Sequence, residues 1–366
     1  IIKSKSMLGE ETNLNHALKA AGLDVRETDL GEYIIQQFGE TPSHIIAPAV
    51  HKSKDEIADL FAEKHGRPRL DDIAALTHEA REVLRPHFLS ADMGISGANF
   101  LIAETGSTMI VTNEGNGRMT TTMPRVHVAI TGIEKIVPTL EDISLLLRVL
   151  TRSATGQSIS NYLSFTTGAK RPGDKDGPDE FHVIIVDAGR TRLLASEIRE
   201  ALRCIRCGAC MNHCPVYQNI GGHAYGWVYP GPIGSILTPA YVGIEKAIDL
   251  PNASTLCNQC GVVCPVKIPL PDLMRKLREQ QVQQNLRPWS ERLGLRLWAW
   301  TAARPAVYGV LTRIAARMGK WLGGRDRLLH RLPAAGAQWT SGRDFPAPRG
   351  RTFREQYARH RKRGTP

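Results

Sequence analysis

Apolar residues along the first 190 positions follow two spacings, which predict helices and strands in turn. Spacings of three and four residues predict helices, and short apolar runs rich in β-branched residues predict strands. The predicted helices cover residues 13–21, 54–64, 71–84 and 140–150. The predicted strands or extended segments cover residues 43–50, 99–103, 108–112, 126–130 and 182–186, and a surface loop covers residues 168–178. Strands separated by helices indicate an α/β fold with a largely parallel sheet.

The pattern changes after residue 195. We expect a short helix ahead of Cys204, a loop rich in Gly and Pro over residues 221–239, and a helix over residues 270–284. Amphipathic helical stretches follow Pro288, and a Pro-, Gly- and Arg-rich end is predicted to be disordered. The predicted domains are an α/β domain (residues 1–192), an α-helical cysteine-bearing domain (193–287) and a helical tail (288–366).

Charge separates the tail from the rest of the chain. The 366 residues carry a net charge of +11, and 42% of them are hydrophobic, as in ordinary globular proteins. Residues 281–366 hold 18 Lys and Arg against 4 Asp and Glu, a surplus of 14, so residues 1–280 carry −3. Five of the six Trp residues also lie there, which makes the tail basic and aromatic.

All seven cysteines lie between Cys204 and Cys264. An odd number packed so closely is atypical of a secreted disulfide framework and indicates metal ligation in a reducing compartment. We therefore expect a cytoplasmic protein. No apolar run approaches the roughly 20 residues of a membrane-spanning helix.

The spacing of the cysteines predicts iron–sulfur clusters. Cys204, Cys207, Cys210 and Cys214, followed by Pro215, reproduce the C-x2-C-x2-C-x3-C-P run of bacterial-type ferredoxins, in which the fourth cysteine serves the other cluster. The second group, Cys257, Cys260 and Cys264 followed by Pro265, lacks one cysteine of that run. If the ferredoxin crossing holds, one cluster is bound by Cys204, Cys207, Cys210 and Cys264. The other cluster is then bound by Cys257, Cys260 and Cys214.

Two alternatives stay open at this point. Two C-x2-C pairs can also form a zinc site with four thiolates, although seven cysteines and two Cys-Pro endings favour iron and sulfide. The missing eighth cysteine predicts that the second cluster is either [3Fe-4S] or a [4Fe-4S] cluster with an open or non-cysteine ligand, whereas the first is [4Fe-4S]. An open iron can act as a Lewis acid, but no acid–base pair lies nearby in sequence, which favours an electron relay.

Outside the cysteines, long stretches resemble the iron–sulfur B component of the bacterial lactate-utilisation system. The stretches that carry this resemblance, besides both cysteine groups, are residues 3–7 (KSKSM), 27–32 (ETDLGE), 42–48 (PSHIIAP), 103–106 (AETG), 113–118 (NEGNGR) and 226–239 (GWVYPGPIGSILTP). The resemblance covers almost the whole chain, and the shortened second cysteine group is part of it. Members of that family usually carry further N-terminal residues, so we expect the α/β domain to be incomplete.

The resemblance implies a fold and a function that the spacing alone does not give. It implies an N-terminal domain similar to the ribose-phosphate isomerase and CoA-transferase group, followed by a ferredoxin-like two-cluster domain. It also implies electron transport during conversion of L-lactate to pyruvate, with the A and C components of the system as partners.

A second candidate site lies in the α/β domain. Glycine-rich turns with free N–H groups bind anions, and a nearby arginine can hold a carboxylate or phosphate. An equally simple interpretation is a hairpin with ordinary turn dipeptides. The candidate anion or substrate cleft consists of Glu104, Thr105, Gly106, Asn113, Asn116 and Arg118.

In the tail, one helical face is apolar and another is basic. Such a helix suits the inner face of an anionic membrane or an acidic partner subunit, and equally a helix packed on its own domain. No nucleic-acid-binding fold accompanies the basic residues, so we expect no nucleic acid partner. The apolar face holds Leu311, Ile314, Met318, Trp321 and Leu322, and the basic face holds Arg313, Arg317 and Lys320.

The sequence thus predicts an electron-transfer subunit of a lactate-oxidising system. Two alternatives are an enzyme with a CoA-transferase-like active site in its N-terminal domain, and a docking module with structural clusters.

Overall fold

A parallel sheet organises the first half of the chain in this computed structural model, which describes residues 1–112, 114–160, 162–333, 336–362 and 364. Its strands are β1 (Ile2–Lys3), β2 (Arg26–Glu27), β3 (Met93–Gly97), β6 (Val126–Gly132) and β9 (Glu180–Val186). They lie in the order β2-β1-β3-β6-β9, and every neighbouring pair is parallel. The predicted α/β fold with a parallel sheet is therefore confirmed.

The same region contains a second sheet with both parallel and antiparallel pairs, which the sequence did not predict. It contains β4 (Phe100–Ile102), β5 (Ser107–Val111), β7 (Ile136–Val137) and β8 (Leu163–Thr166) in the order β7-β4-β5-β8. β4 and β5 coincide with two predicted strands and pair with each other as an antiparallel hairpin. β7 pairs with β4 in parallel.

The helices of the α/β region begin and end at local sequence signals. Ser53 and Thr139 each form a capping box, and Gly66 and Gly156 end the same two helices in left-handed conformations. The helices are α1 (Met7–Glu11), α2 (Leu14–Ala20), α3 (Leu30–Phe38), α4 (Lys54–His65), α5 (Ile73–Ser90), α6 (Asn116–Thr122), α7 (Leu140–Thr155) and α8 (Arg190–Leu194). Four of them, α2, α4, α5 and α7, lie where helices were predicted.

The extended segment predicted over residues 43–50 is wrong. The chain forms turns there, because the ring nitrogen Nδ1 of His44 accepts hydrogen bonds from the backbone N–H groups of Ile46 (3.0 Å) and Ala47 (3.1 Å). A side chain that binds its own following backbone competes with strand pairing. Ile45 is buried in this turn, which explains the apolar signal.

The cysteine-bearing region is helical. A 3₁₀ turn (Arg199–Arg203) leads into α9 (Ala209–Asn212), α10 (Pro215–Ile220), α11 (Gly231–Val242), α12 (Gln259–Val263) and α13 (Leu270–Gln283). The loop predicted over residues 221–239 is wrong in its second half, where α11 forms with Pro232 in its first turn. Proline is favoured in that position, and α11 is buried from Gly231 to Pro239, so burial stabilises it despite its glycines.

Residues 287–366 form a second compact unit. It contains α14 (Trp289–Ala302), α15 (Pro305–Leu322), a short antiparallel pair of β10 (Leu328–Leu329) and β11 (Phe345–Pro346), and α16 (Phe353–Lys362). The end that is predicted to be disordered contains α16. Thr352 and Glu355 form its capping box, in which the Glu355 carboxylate accepts the Thr352 N–H at 2.8 Å.

Candidate metal centre

The first cysteine group is wrapped by tight turns. Cys204 follows the 3₁₀ turn, Cys210 lies in α9, and Cys214 precedes α10 with Pro215 at its first position. Arg206 (φ 62°) and Gly208 (φ 75°) adopt left-handed conformations. The backbone N–H of Arg206 consequently points at the Cys204 Sγ, 3.4 Å away. This local geometry brings thiols and N–H donors to one side of the loop.

The second group uses the same device. Leu256 (φ 55°), Asn258 (φ 67°) and Lys267 (φ 55°) are left-handed, and the N–H of Ile268 donates to the Cys264 Sγ at 3.3 Å. These conformations are uncommon for most residues with side chains, and such outliers cluster at ligand-binding sites.

The two groups approach each other crosswise. Burial, followed by the nearby charges of Cys204 and Cys264, raises the pKa of the Cys207 thiol to about 11. Burial, followed chiefly by the charge of Cys214, raises the pKa of the Cys260 thiol to about 11 as well. The charge of Cys264 thus acts on the first group, and Cys214 lines one cavity with Cys257 and Cys260 of the second. The crossing requires these neighbours, while the assignment of each thiolate to a cluster stays a prediction.

The position predicted to lack a cysteine ligand borders a small cavity. The cavity is lined by the three thiols Cys214, Cys257 and Cys260, together with His213 and Asn258. The ring nitrogen Nδ1 of His213 donates a hydrogen bond to the Ala209 carbonyl oxygen, 3.0 Å away. Three thiols around one space are what a cluster with three cysteine ligands needs.

The chemistry of the seven cysteines fits iron–sulfur clusters. All seven are free, and Cys207, Cys214, Cys260 and Cys264 are buried. Burial raises the pKa of the Cys207 and Cys260 thiols, and metal coordination would deprotonate them. Seven free cysteines in two closely spaced groups suit bound iron–sulfur clusters.

A buried charge network joins the first cysteine loop to the α/β region, and sequence reasoning missed it. The guanidinium of Arg190, only 2% exposed, donates to both carboxylate oxygens of Glu11 at 2.8 Å and to Glu134 at 2.6 Å. Glu134 also accepts from Arg206 at 3.4 Å, and the Tyr229 hydroxyl donates to Glu11 at 2.6 Å. Sequence motifs do not reveal this network, because its members lie up to 218 positions apart in the chain.

The charges of this network control the Glu134 carboxyl group. Although burial acts to raise its pKa, the cationic groups of Arg206, Lys135 and Arg190 hold that pKa below its usual value. Lys135 donates through Nζ to the Cys204 carbonyl at 2.7 Å. The segment after β6 therefore contacts the first cysteine loop directly.

The residues of the candidate anion cleft are not brought together. Glu104, Thr105 and Gly106 lie at the turn of the β4–β5 hairpin, where Glu104 accepts the Leu140 N–H at 3.4 Å. Asn116 begins α6, which follows the opposite end of β5, and Arg118 is exposed on that helix. Asn113 lies outside the described residues. Of the described members, only Asn116 lines the cavity at the carboxyl ends of the parallel strands.

Three protein-family models match most of the chain. Residues 1–186 match the LUD domain, residues 200–268 the 4Fe-4S dicluster domain, and residues 272–362 the C-terminal domain of lactate utilisation protein B. The dicluster match covers all seven cysteines and favours iron–sulfur clusters over zinc.

Relatives match along nearly the full chain. Lactate utilization protein B of Bacillus licheniformis is 46% identical over 364 residues, which cover 99% of this chain and 76% of that protein. The protein of the same name from Geobacillus thermodenitrificans is 45% identical over 368 residues, or 100% of this chain and 77% of that protein. A protein of Escherichia coli, named uncharacterized electron transport protein YkgF, is 43% identical over 362 residues, or 98% and 76%. The chain belongs to the lactate utilization protein B family.

Proposed function

We propose that this protein is an electron-transfer subunit in the oxidation of L-lactate to pyruvate, working with the A and C components of the lactate-utilisation system. One observation supports the electron-transfer role: Cys214 of the first group lines one cavity together with Cys257 and Cys260 of the second, as the crossed ligands of a two-cluster ferredoxin require. The substrate and the partners rest on the names of the relatives. We also propose a CoA-transferase-like fold for the α/β region and a ferredoxin-like fold for the two-cluster region.

The protein's own residues prepare the sites. [4Fe-4S] clusters exchange single electrons when bound. Cys204, Cys207, Cys210 and Cys264 would hold the first, and Cys214, Cys257 and Cys260 the second, which is then either [3Fe-4S] or [4Fe-4S] with a non-cysteine ligand. Ile268 and Arg206 direct backbone N–H groups at thiol sulfurs, and such hydrogen bonds tune reduction potentials.

Metal analysis and reduction test this proposal. Anaerobically purified protein is expected to contain roughly seven to eight iron atoms per chain with matching sulfide, as two clusters require. Dithionite should bleach its visible absorption reversibly and change its EPR spectrum. Colourless protein that contains zinc would contradict the proposal. Reduction by L-lactate with this chain alone would instead support the alternative of an enzyme with its own active site.

The tail is proposed to contact an anionic membrane surface. On α15, the predicted apolar residues Leu311, Ile314, Met318, Trp321 and Leu322 are all exposed, between 46% and 81%. An exposed apolar face beside basic residues is typical of helices that lie in a membrane interface. Within the described ranges, no helix combines the length and the apolar character needed to cross a bilayer.

Deleting residues 288–366 is expected to separate docking from electron transfer. The cysteines lie in the other compact unit, so iron content and EPR spectra should be unchanged. Sedimentation with vesicles containing phosphatidylglycerol should fall at least about tenfold, because roughly 1 kcal/mol is lost for each basic residue near the surface. Vesicles of phosphatidylcholine alone are the control. Loss of the clusters, or unchanged sedimentation, would contradict this account.

A further inference from the structure

A cavity of the α/β region lies at the carboxyl ends of the parallel strands. Residues directly after β1 (Ser4, Lys5), after β3 (Ala98, Asn99) and at the end of β6 (Gly132) line it. In the order β2-β1-β3, the chain leaves β1 toward one side and returns as β3 on the other. Open α/β sheets bind ligands in the crevice at such a reversal of strand order.

The first cysteine loop forms one wall of this cavity. Ile205 and Arg206, which lie between Cys204 and Cys207, line it together with Tyr229. A ligand in the cavity would therefore contact the loop that bears the first cysteine group. The volume of about 230 Å³ is below the roughly 300–1,000 Å³ of sites for drug-sized molecules. It suits a small molecule rather than a nucleotide or a coenzyme.

Two of the cationic side chains in the wall have no carboxylate partner. Arg190 and Arg206 are paired with Glu134. In contrast, the ammonium groups of Lys5 and Lys135 donate to the backbone carbonyls of Ile46 and Cys204, and within the described part of the chain no carboxylate oxygen lies within 4.0 Å of either. Each ammonium group has three donors, so both retain donors for a ligand.

The two acidic groups in the wall, Glu134 and Asp29, each bind a partner other than the two lysines. Glu134 is held by the two arginines, and Asp29 accepts the Glu32 N–H at 3.2 Å as the cap of α3. Burial lowers the pKa of Lys5 even though the charges of Asp29 and Glu32 act to raise it. The ammonium of Lys5 is thus incompletely compensated by the protein, and an anion would supply what is missing.

Buried polar atoms without partners complete the wall. Asn116, 5% exposed, and Thr131, 1% exposed, both line the cavity. The Asn116 Oδ1 and the Thr131 Oγ1 have no hydrogen-bond partner among the described residues. Buried polar atoms are normally paired, so unpaired ones at a cavity point to a bound group.

We propose that this cavity binds a small organic carboxylate. Lys5 and Lys135 bind its carboxylate group, and Asn116 and Thr131 hydrogen-bond a hydroxyl group on the adjacent carbon. Binding itself depends only on these side chains. The position of the ligand beside a redox centre rests on the proposed function.

Calorimetric titration of the cluster-loaded protein tests the proposal. L-lactate is expected to bind, whereas L-lactamide, which lacks the charge, and inorganic phosphate are expected to bind at least about tenfold more weakly. Lys5→Met should weaken binding of L-lactate by roughly tenfold or more, because a hydrogen bond to a charged group is lost. The exposed Lys64→Met is the matched control and should leave the affinity unchanged.

Ala154→Leu provides a variant that keeps every charge. Ala154 lines the same cavity in α7, so the larger side chain should fill part of it and abolish binding. Iron content and melting temperature establish that each variant is folded. No binding of L-lactate at 10 mM, equal binding of phosphate, or unchanged affinity in both cavity variants would overturn the proposal. A protein with normal clusters and no binding would refute this inference alone, whereas binding without clusters would refute the electron-transfer role alone.

Discussion

Cys264→Ser is expected to remove the same cluster as Cys207→Ser, although the two residues belong to different groups in the sequence. The charge of Cys264 is one of the contributions that raise the pKa of the Cys207 thiol. Each variant should lose about four iron atoms per chain and retain the EPR signal of the second cluster. Serine binds iron more weakly than thiolate does, and metal binding is coupled to folding in such ligand-dense regions. Iron analysis and EPR of anaerobic protein measure the effect.

Cys214→Ser and Cys257→Ser form the matched pair for this experiment. Both should affect the second cluster and leave the first intact, since Cys214 and Cys257 both neighbour Cys260. If Cys264→Ser instead resembles Cys257→Ser, the ligands do not cross and each cysteine group binds its own cluster.

Arg190→Met is expected to destabilise the fold by about 3–5 kcal/mol, because it leaves two buried carboxylates without their main partner. Arg190 binds Glu11 and Glu134, and its guanidinium lies 4.8 Å from the centre of the Tyr241 ring. The apparent melting temperature, followed by far-UV circular dichroism, should fall by roughly 5–15 °C.

The exposed neighbour Arg192 supplies the control, and Arg192→Met should shift the melting temperature by about 1 °C or less. The loss in Arg190→Met should also be smaller at pH 4 than at pH 7. In the wild-type protein Arg190 helps to keep the pKa of Glu134 below its ordinary value of 4.5, so this stabilisation is complete above pH 4.5 and is lost as the pH falls below it toward the lowered pKa. Equal losses at both pH values would show that the lost charge pairing is not the cause.

The cysteine ligands could be predicted from the sequence because their signal is local. Spacings of two and three residues fix which thiols share a turn, and no distant contact changes that. The crossing of Cys214 and Cys264 stays a prediction from the ferredoxin pattern. The parallel sheet was likewise predictable from strands that alternate with helices, although β9 and β6 were the only strands of that sheet found in advance.

Strand β3 was missed because it contains glycines, which have low strand propensity and are required here by close packing. A Cβ atom on Gly94 would lie 1.9 Å from the Thr120 carbonyl oxygen, so α6 approaches this strand too closely for any side chain. Glycine disfavours strands in isolation, and only the tertiary contact explains it. Helix α11 was mistaken for a loop for a related reason, since Gly234 approaches the Tyr229 carbonyl.

The charge network and the cavity could not be predicted because their members are far apart in sequence. Arg190 and Glu11 are separated by 179 positions, and each alone is an ordinary charged residue. Only the fold brings Lys5 and Lys135 to one wall. The glycine-rich turns, by contrast, gave a signal that the structure explains as a hairpin turn and a helix start.

Cys257 is the one exposed residue among the seven cysteines, whereas its partners Cys214 and Cys260 are buried. Electron tunnelling weakens steeply with distance, so an external redox partner exchanges electrons fastest where a ligand reaches the surface. Under the proposed electron-transfer function, that site is the second cysteine group, and the same exposure admits dioxygen, to which thiolates at the surface are the most susceptible. Air should therefore damage the second cluster before the first.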